Sequence, residues 1–292
     1  MTIAEMEAFL TVVRRGSISA AAEELFITQP ALSRRIQALE EELGYALMQR
    51  QKGVRSVRLT AEGQAFLPIA RKWQMLWKET SAISDPRRRP ALRVSAVESV
   101  SLYVLPAVFR RFLAGEAHRL SFFSCHSREA YSYMESGLLD LAFVTDQLFA
   151  RGVRIEAAFS EPFVLVSASR LTGGGVIHPR QLAPEREIRF PWNRGYDDWH
   201  ARWFDKSIFP SVSLDQVSLL NCFLREGSWA IVPRSMGEGL RGQGICLFEL
   251  QDGPEDRVIY SLIREETSES QAECFLAYLK EELDRYKDTA EA

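Results

Sequence analysis

The sequence predicts a small all-α head, one long helix and a larger α/β body, arranged in that order along 292 residues. Three observations carry this expectation. Apolar residues recur at helical spacing as far as Leu43, a single long helical pattern runs from Ala61 to about Ser84, and from Leu92 onward short apolar runs alternate with amphipathic segments.

Ile3, Met6, Phe9, Leu10 and Val13 define the first amphipathic helix. Ser17 is placed to cap a second helix, because its hydroxyl can accept from a free N–H of the first turn. Ala20, Ala21 and Ala22 are small enough to let another helix cross closely. Phe26, Ile27 and Thr28 break the pattern, Thr28 can cap the next helix, and Pro30 falls in its first turn, where a missing N–H costs little. Leu32, Ile36, Leu39 and Leu43 then form one apolar stripe, leaving Gln29, Pro30, Ser33, Arg34 and Gln37 on the opposite face.

Two short helices around a tight turn, the second bearing a polar face with arginine, are the layout of a DNA-reading helix-turn-helix. A major groove admits one helix, within which Gln can pair with adenine, Arg with guanine or phosphate, and Ser with either kind of target. The bland alternative is an amphipathic helix with a solvated face. Its neighbours favour the reading head: after Leu47 and Met48 come Arg50, Lys52, Gly53, Val54, Arg55, Ser56, Val57, Arg58 and Leu59, a basic alternating segment suited to a β-hairpin wing.

Thr60 can cap the long helix, on which Phe66, Ala70, Trp73 and Trp77 form one stripe with Ile69, Leu76 and Ile83 beside it. That is more apolar surface than a lone solvated helix carries, and packing within the chain would cover it. Pro68 removes one hydrogen bond and crowds the Gln64 carbonyl, at about 3 kcal/mol, so a kink is expected there, with Gly63 adding flexibility. Asp85, Pro86, Arg87, Arg88, Arg89 and Pro90 read as a solvated interdomain linker.

Strands are expected at Leu92 to Ala96, Leu120 to Cys125, Leu139 to Thr145, Phe163 to Ser167, Ile188 to Pro191, Trp229 to Val232 and Arg257 to Ile263. Helices are expected at Leu102 to Leu113, Ala130 to Gly137, Asp197 to Phe204 and Leu214 to Arg225. Such alternation implies mostly parallel sheets covered by helices.

Composition narrows the class further. With 36 Lys and Arg against 39 Asp and Glu, the net charge of −3 argues against coating nucleic acid through bulk charge, whereas site-specific binding needs only a local basic surface. Cys125, Cys222, Cys246 and Cys274 are far apart without metal-ligand spacing, the start lacks a signal-peptide pattern, and no apolar run is long enough to span a bilayer. A cytoplasmic protein with reduced thiols, no cofactor, no metal and no membrane association is expected. Neither a GxSxG elbow, a phosphate loop, HExxH nor a dinucleotide fingerprint occurs, so no catalytic residues are assigned.

The segment SISAAAEELFITQPALSRRIQALEEELGYALMQR, followed by VRLTAEG, closely resembles the N-terminal signature of LysR-type transcriptional regulators, at motif level over about the first 63 residues. The resemblance implies an N-terminal winged helix-turn-helix over residues 1–60, with Ser17 to Leu25 as positioning helix and Thr28 to Leu39 as recognition helix. It implies DNA contacts from Ser17, Thr28, Gln29, Pro30, Ser33, Arg34 and Gln37, with wing contacts from Arg50, Arg55 and Arg58. Residues 61–85 would be a linker helix that pairs with its twin through Phe66, Ala70, Trp73 and Trp77, giving a homodimer or homotetramer, and 86–90 a hinge. The remainder would be a two-lobed α/β effector domain like a periplasmic binding protein: first lobe 91–160 and 265–286, to which a final helix from Ser268 to Tyr286 returns, second lobe 161–264, tail 287–292.

By that resemblance a small molecule occupies the cleft between lobes. Ser99, Val100 and Ser101 follow the first strand, where hydroxyls and backbone N–H groups can grip an anion, although simple helix capping explains such serines equally well. The neighbouring Glu98 would repel an acidic ligand. His126 or Ser127 supplies a polar position after the second strand. The segment from Phe190 to Phe204 concentrates three of the six tryptophans, with Trp192 and Trp199 beside Arg194 and Asp197, suiting an amino compound or a carboxylate; its alternative role is packing. Trp229 stands where a small residue is commoner, which would reduce the pocket. The implied partners are double-stranded DNA and a small-molecule effector, and the resemblance admits RNA polymerase. A ligand-independent DNA-binding repressor and an enzyme with a DNA-binding appendage stay open as alternatives.

Overall fold

The computed structural model describes residues 1–49, 57–80, 91–115, 118–171, 174–205, 207–241, 244–265 and 269–290. Two compact units divide near the Arg89–Pro90 junction. The hinge expected at 86–90, the wing tip with Arg50 and Arg55, and the last two residues of the expected tail lie outside the described residues.

In the N-terminal unit α1 (Ile3–Arg15) opens on a reciprocal cap, in which Thr2 accepts from Glu5 N and Glu5 accepts from Thr2 N. It ends at Gly16, whose φ of 64° is the left-handed conformation glycine adopts without strain. Then follow α2 (Ile18–Glu24), α3 (Gln29–Leu43) and α4 (Ala61–Thr80). Ser17 caps α2 through Ala20 N and Thr28 caps α3 through Ala31 N, as their spacing predicts. Phe9, Val12, Ala21, Leu32, Leu39, Leu47 and Phe66 share one buried core.

Two departures concern α4. Phe66 and Ala70, expected at a dimer interface, are 4% and 0% exposed inside this core, with Phe66 against the Phe9 ring at 5.5 Å. Gly63 serves close approach rather than flexibility, because an added Cβ would lie 2.1 Å from the Leu47 carbonyl oxygen. The helix is assigned without a break through Pro68.

The C-terminal unit contains β1 (Leu92–Ala96), α5 (Glu98–Tyr103), α6 (Leu105–Ala114), β2 (Leu120–Ser124), α7 (Ser127–Glu135), β3 (Leu141–Val144), β4 (Val153–Glu161) and β5 (Phe163–Ser167). It continues with β6 (Val176–Ile177), β7 (Ile188–Arg189), α8 (Arg194–Trp203), β8 (Val212–Ser213), α9 (Leu220–Phe223), β9 (Trp229–Pro233), α10 (Arg234–Gly239), β10 (Cys246–Leu250), β11 (Arg257–Arg264) and α11 (Glu269–Ala290). The first lobe is a five-stranded sheet ordered β2-β1-β3-β11-β4, and the second is built on a four-stranded sheet ordered β6-β10-β5-β9.

The sheets are mixed rather than mostly parallel. β1 pairs parallel with β2 and β3, whereas β11 runs antiparallel to β3 and β4, and β5 runs antiparallel to both β9 and β10. β11, expected in the second lobe, belongs to the first sheet, so the chain returns to the first lobe by Arg257. The helix expected from Leu214 to Arg225 contracts to a 3-10 turn at Val217–Leu219 and the four-residue α9. α11 runs to Ala290, beyond the expected start of a tail.

Asp140 ties the base of the first sheet together. Its carboxylate accepts from the Arg93 backbone N–H and guanidinium, at 2.6 to 3.0 Å, and from Arg264 Nη2 at 3.0 Å. Burial pushes this carboxyl up, and the hydrogen bonds and charge of Arg93, joined by Arg264, more than offset that and hold it below its ordinary value.

Candidate DNA interface and effector cleft

Polarity divides α3 lengthwise. Leu32, Ile36 and Leu39 are buried at 0%, 7% and 0% exposure, while Thr28, Gln29, Pro30, Ser33, Arg34 and Gln37 are all exposed. Gln29 Nε2 donates to Ser19 Oγ on α2, and Gln37 Nε2 donates to Glu41 Oε1 at 3.0 Å. Ser17 is half-buried with its oxygen engaged as a cap, which leaves its O–H as a donor.

The stem of the expected wing is held from α3 itself. Glu40, 8% exposed, accepts from Leu47 N at 2.7 Å and Met48 N at 3.1 Å through one carboxylate oxygen. Met48 bridges Leu59 antiparallel, Gln49 N donates to Arg58 O at 2.8 Å, and Arg58 is exposed on this stem. The run Glu40, Glu41, Glu42 reads as solvated charge, so sequence spacing carried no signal for the role of Glu40.

On α4, Trp73 and Trp77 stack with centroids 5.9 Å apart and planes 10° apart. Trp73 packs partly against the head core, whereas Ile69, Leu76 and Trp77 are 57%, 50% and 44% exposed. The apolar face left open is therefore rotated from the one that includes Phe66 and Ala70.

In the first lobe β2, β1 and β3 run parallel with Ala96 in register with Ser124 and Phe143, so their C-terminal ends share one edge. Ligands of open α/β sheets bind at such edges, and the order 2-1-3 places a topological switch between β1 and β3. Ser99 and Ser127 sit there. Ser127 Oγ accepts from Thr145 N and lies 3.3 Å from Thr145 Oγ1, and His126 is exposed beside it.

Ser99 is 3% exposed, and its oxygen accepts from Arg257 Nη1 at 2.9 Å. Arg257, itself 1% exposed, donates two further bonds to Glu161 Oε1, at 2.6 and 3.0 Å, and lies over the Trp192 ring at 5.6 Å. Glu161 Oε2 accepts from Ser235 N at 2.9 Å at the start of α10. Burial pulls the Arg257 guanidinium down, and the charge and hydrogen bonds of Glu161 oppose it. Glu98 does not face an open site, for its carboxylate accepts from Val217 N at 2.8 Å and Ser218 N at 3.4 Å in the second lobe.

Several expected cleft residues have other duties. Val100 is a core side chain at 0% exposure, and its N–H donates to Val97 O. Ser101 Oγ donates to Glu98 O at 2.8 Å, a local turn bond. Trp199 and Trp229 lie in the second-lobe core, with indole N–H groups spent on Asp252 O at 2.6 Å and Ala183 O at 2.9 Å. Arg194 points to solvent with its side chain 95% exposed, opposite Asp198 at 3.9 Å, and Asp197 pairs with Arg189 at 2.9 Å. Of the aromatic segment only half-buried Trp192, whose N–H donates to Ile231 O at 2.7 Å, reaches the Ser99–Arg257 group.

A helix-turn-helix head with a winged stem, followed by a two-lobed α/β body, defines a DNA-binding regulator carrying an effector-binding domain. Residues 3–64 match the model of the bacterial regulatory helix-turn-helix protein, lysR family, and residues 85–284 match the LysR substrate binding domain. The chain belongs to the LysR family of DNA-binding transcriptional regulators and is not an enzyme. It is 32% identical over 249 residues to a probable nitrogen assimilation transcriptional activator of Synechococcus elongatus, covering 80% of this chain and 79% of that protein. Identity is 31% over 201 residues with the HTH-type transcriptional regulator ClcR of Pseudomonas putida, covering 65% and 66% respectively. Among solved structures, CbnR, a LysR family transcriptional regulator, superposes with a TM-score of 0.70 at 22% identity, covering 97% of this chain and 99% of that one, which shows the shared fold. Among the described residues, no helix is long and apolar enough to cross a membrane.

Proposed function

We propose that this regulator reads a specific operator through the exposed face of α3 and is controlled by a small molecule in the cleft between its lobes. The single observation that carries the reading is the division of α3, with Leu32, Ile36 and Leu39 buried and Gln29, Ser33, Arg34 and Gln37 presented together. Pro30 and the Thr28 cap fix the start of this helix, Arg58 is exposed on the wing stem, and Arg50 and Arg55 are expected as further DNA contacts.

The exposed Ile69, Leu76 and Trp77, continuous with Trp73, supply the self-association face, so that a homodimer or homotetramer places paired heads on two half-sites. We assign 1–60 to the head, 61–85 to the linker helix and 86–90 to the hinge. The first lobe takes 91–161 and 257–290 and the second 162–256, following the strand pairing. The effector is expected near Ser99, Ser127, His126 and Trp192, an amino or carboxylate metabolite, with RNA polymerase as a further partner at the promoter.

Fluorescence anisotropy with fragments of candidate promoter DNA tests the reading. Arg34→Ala is expected to weaken specific binding by about 1 to 3 kcal/mol where Arg34 reads a base, or to lower the salt slope by about one where it holds a phosphate. Affinity and salt slope unchanged across operator variants would sink both. Saturable thermal stabilisation by one member of a metabolite panel tests the cleft separately.

A further inference from the structure

The 3-10 turn Val217–Leu219 and the short α9 behind it have no cap of their own. Gln216, the residue in the capping position, makes no side-chain hydrogen bond to the turn. The cap is supplied from the other lobe: Glu98, at the first position of α5, receives both Val217 N at 2.8 Å and Ser218 N at 3.4 Å across 119 and 120 residues of chain. Val217 is 5% exposed, so its N–H would lose a partner that water does not readily replace. Five residues from Glu98, Tyr103 lies so close to α10 that a Cβ on Gly239 would meet its ring at 2.5 Å.

Two kinds of carboxylate therefore join the lobes. Glu161 and Arg257 stand where the chain crosses from one sheet to the other, and both are buried among fixed partners. Glu98 differs, because it is half-buried and its carboxylate accepts from two backbone donors on the opposite lobe. A contact of that kind can open while the crossover pair stays closed.

We infer that Glu98 is an interlobe latch, capping the Val217–Leu219 turn from across the cleft, and that its release is the step by which cleft occupancy changes the effector domain. This deepens, and rests on, the reading of the cleft as the effector site. Glu98 thereby has a role distinct from repelling acidic ligands: it holds the closed arrangement before any ligand arrives.

Amide exchange on the full chain tests the latch without ligand or DNA, so its outcome is independent of the sensor reading. Glu98→Ala is expected to speed exchange at Val217 and Ser218 at least tenfold while β9 stays protected, with Glu98→Gln intermediate because one acceptor oxygen remains. Val217→Pro removes one donor and leaves the carboxylate intact. The position suits proline, being first in its turn behind an extended Gln216 with φ −112° and ψ 113°. Unchanged protection at Val217 and Ser218 in both Glu98 variants would overturn the latch. Its regulatory part is read from the nuclease footprint on a DNA fragment that the wild type binds. Glu98→Ala, Val217→Pro and the double variant are expected to shift that footprint alike. A wild-type footprint despite accelerated exchange would overturn the regulatory step.

Discussion

Replacing Gly63 by alanine sets two physical effects of opposite sign against each other. Gly63 is the third residue of α4, where helix propensity alone favours alanine by about 1 kcal/mol. The new Cβ, however, would stand 2.1 Å from Leu47 O, 3.0 Å from Leu47 C and 3.2 Å from Leu47 Cα. Ordinary carbon contacts begin near about 3.5 Å, so roughly 1.4 Å must come from backbone movement. Leu47 cannot yield cheaply. Its side chain is 0% exposed, its N–H donates to Glu40 at 2.7 Å, and its carbonyl accepts from Thr60 N at 3.1 Å.

Overpacking of about 1 to 3 kcal/mol, together with about 1 kcal/mol for each of the two strained hydrogen bonds, outweighs the propensity gain and leaves a net loss of about 2 to 4 kcal/mol. Because the chain has two units, one global unfolding curve would mix their transitions. Amide exchange in α1 and α3 reports the head alone, and this loss corresponds to about 30- to 900-fold faster exchange there. Slower or unchanged exchange in Gly63→Ala would refute the steric reasoning. The same geometry gives a physical account of VRLTAEG: Thr60 donates its hydroxyl to Ala46 O at 2.7 Å and caps Gly63 N at 2.9 Å, and only glycine lets the helix start so near Leu47.

Three further outcomes are expected. Trp77→Asp places charge on the exposed apolar face of α4 and should lower the oligomer mass seen by sedimentation; intact oligomers would remove that face from the interface. Phe26 is 95% exposed with φ 55°, so Phe26→Asn should stabilise the head by about 1 kcal/mol through relief of left-handed strain, read as slower exchange in α2 and α3; faster exchange would show that the ring is needed. Asp140, whose folded pKa is depressed, contributes stability above the unfolded carboxylate value that is lost as pH falls through the folded one. Asp140→Asn should therefore cost about 1.5 to 3 kcal/mol at pH 7, and the gap to wild type should close as pH drops below about 4; a pH-independent gap would contradict the linkage.

Local rules carry far in the head and less far in the body. Ser17, Thr28 and Pro30 mark helix starts because caps act within one turn, and Leu32, Ile36 and Leu39 reveal the buried face because helical period is itself local. Phe163–Ser167 is equally legible, an unbroken apolar run buried on both faces. β4 carries a local signal of its own, Val153, Ile155 and Phe159 alternating with Arg154, Glu156 and Ser160, whereas its pairing with β11, about a hundred residues away, is not legible locally. The same distance hides Glu98, Glu161 and Arg257, whose hydrogen-bond partners lie 74 to 158 residues distant. Aromatic composition misled for a related reason. Trp199 and Trp229 were rich in chemistry for a ligand, yet both indole donors are consumed by backbone carbonyls, and composition does not say which rings have been closed over.

The two interlobe carboxylates differ in what they contribute energetically. A buried pair such as Glu161 and Arg257 gives up so much hydration that apolar residues of equal volume would often hold the lobes as firmly. What apolar residues would not provide is direction: Arg257 holds Ser99 as an acceptor, leaving the serine proton to point elsewhere, while Glu161 holds Ser235 N at the start of α10. The crossover is thus geometrically specified at little net gain in stability. Two hydrogen bonds to the Glu98 carboxylate, discounted for its partial exposure, are worth about 1 to 3 kcal/mol, the range over which allosteric sites are commonly coupled. A ligand that favours the unlatched arrangement by that amount can move the equilibrium, whereas breaking the buried pair would cost it about 3 to 5 kcal/mol. The pivot and the latch are separated by energy as well as by partner, which is why the switch belongs at Glu98.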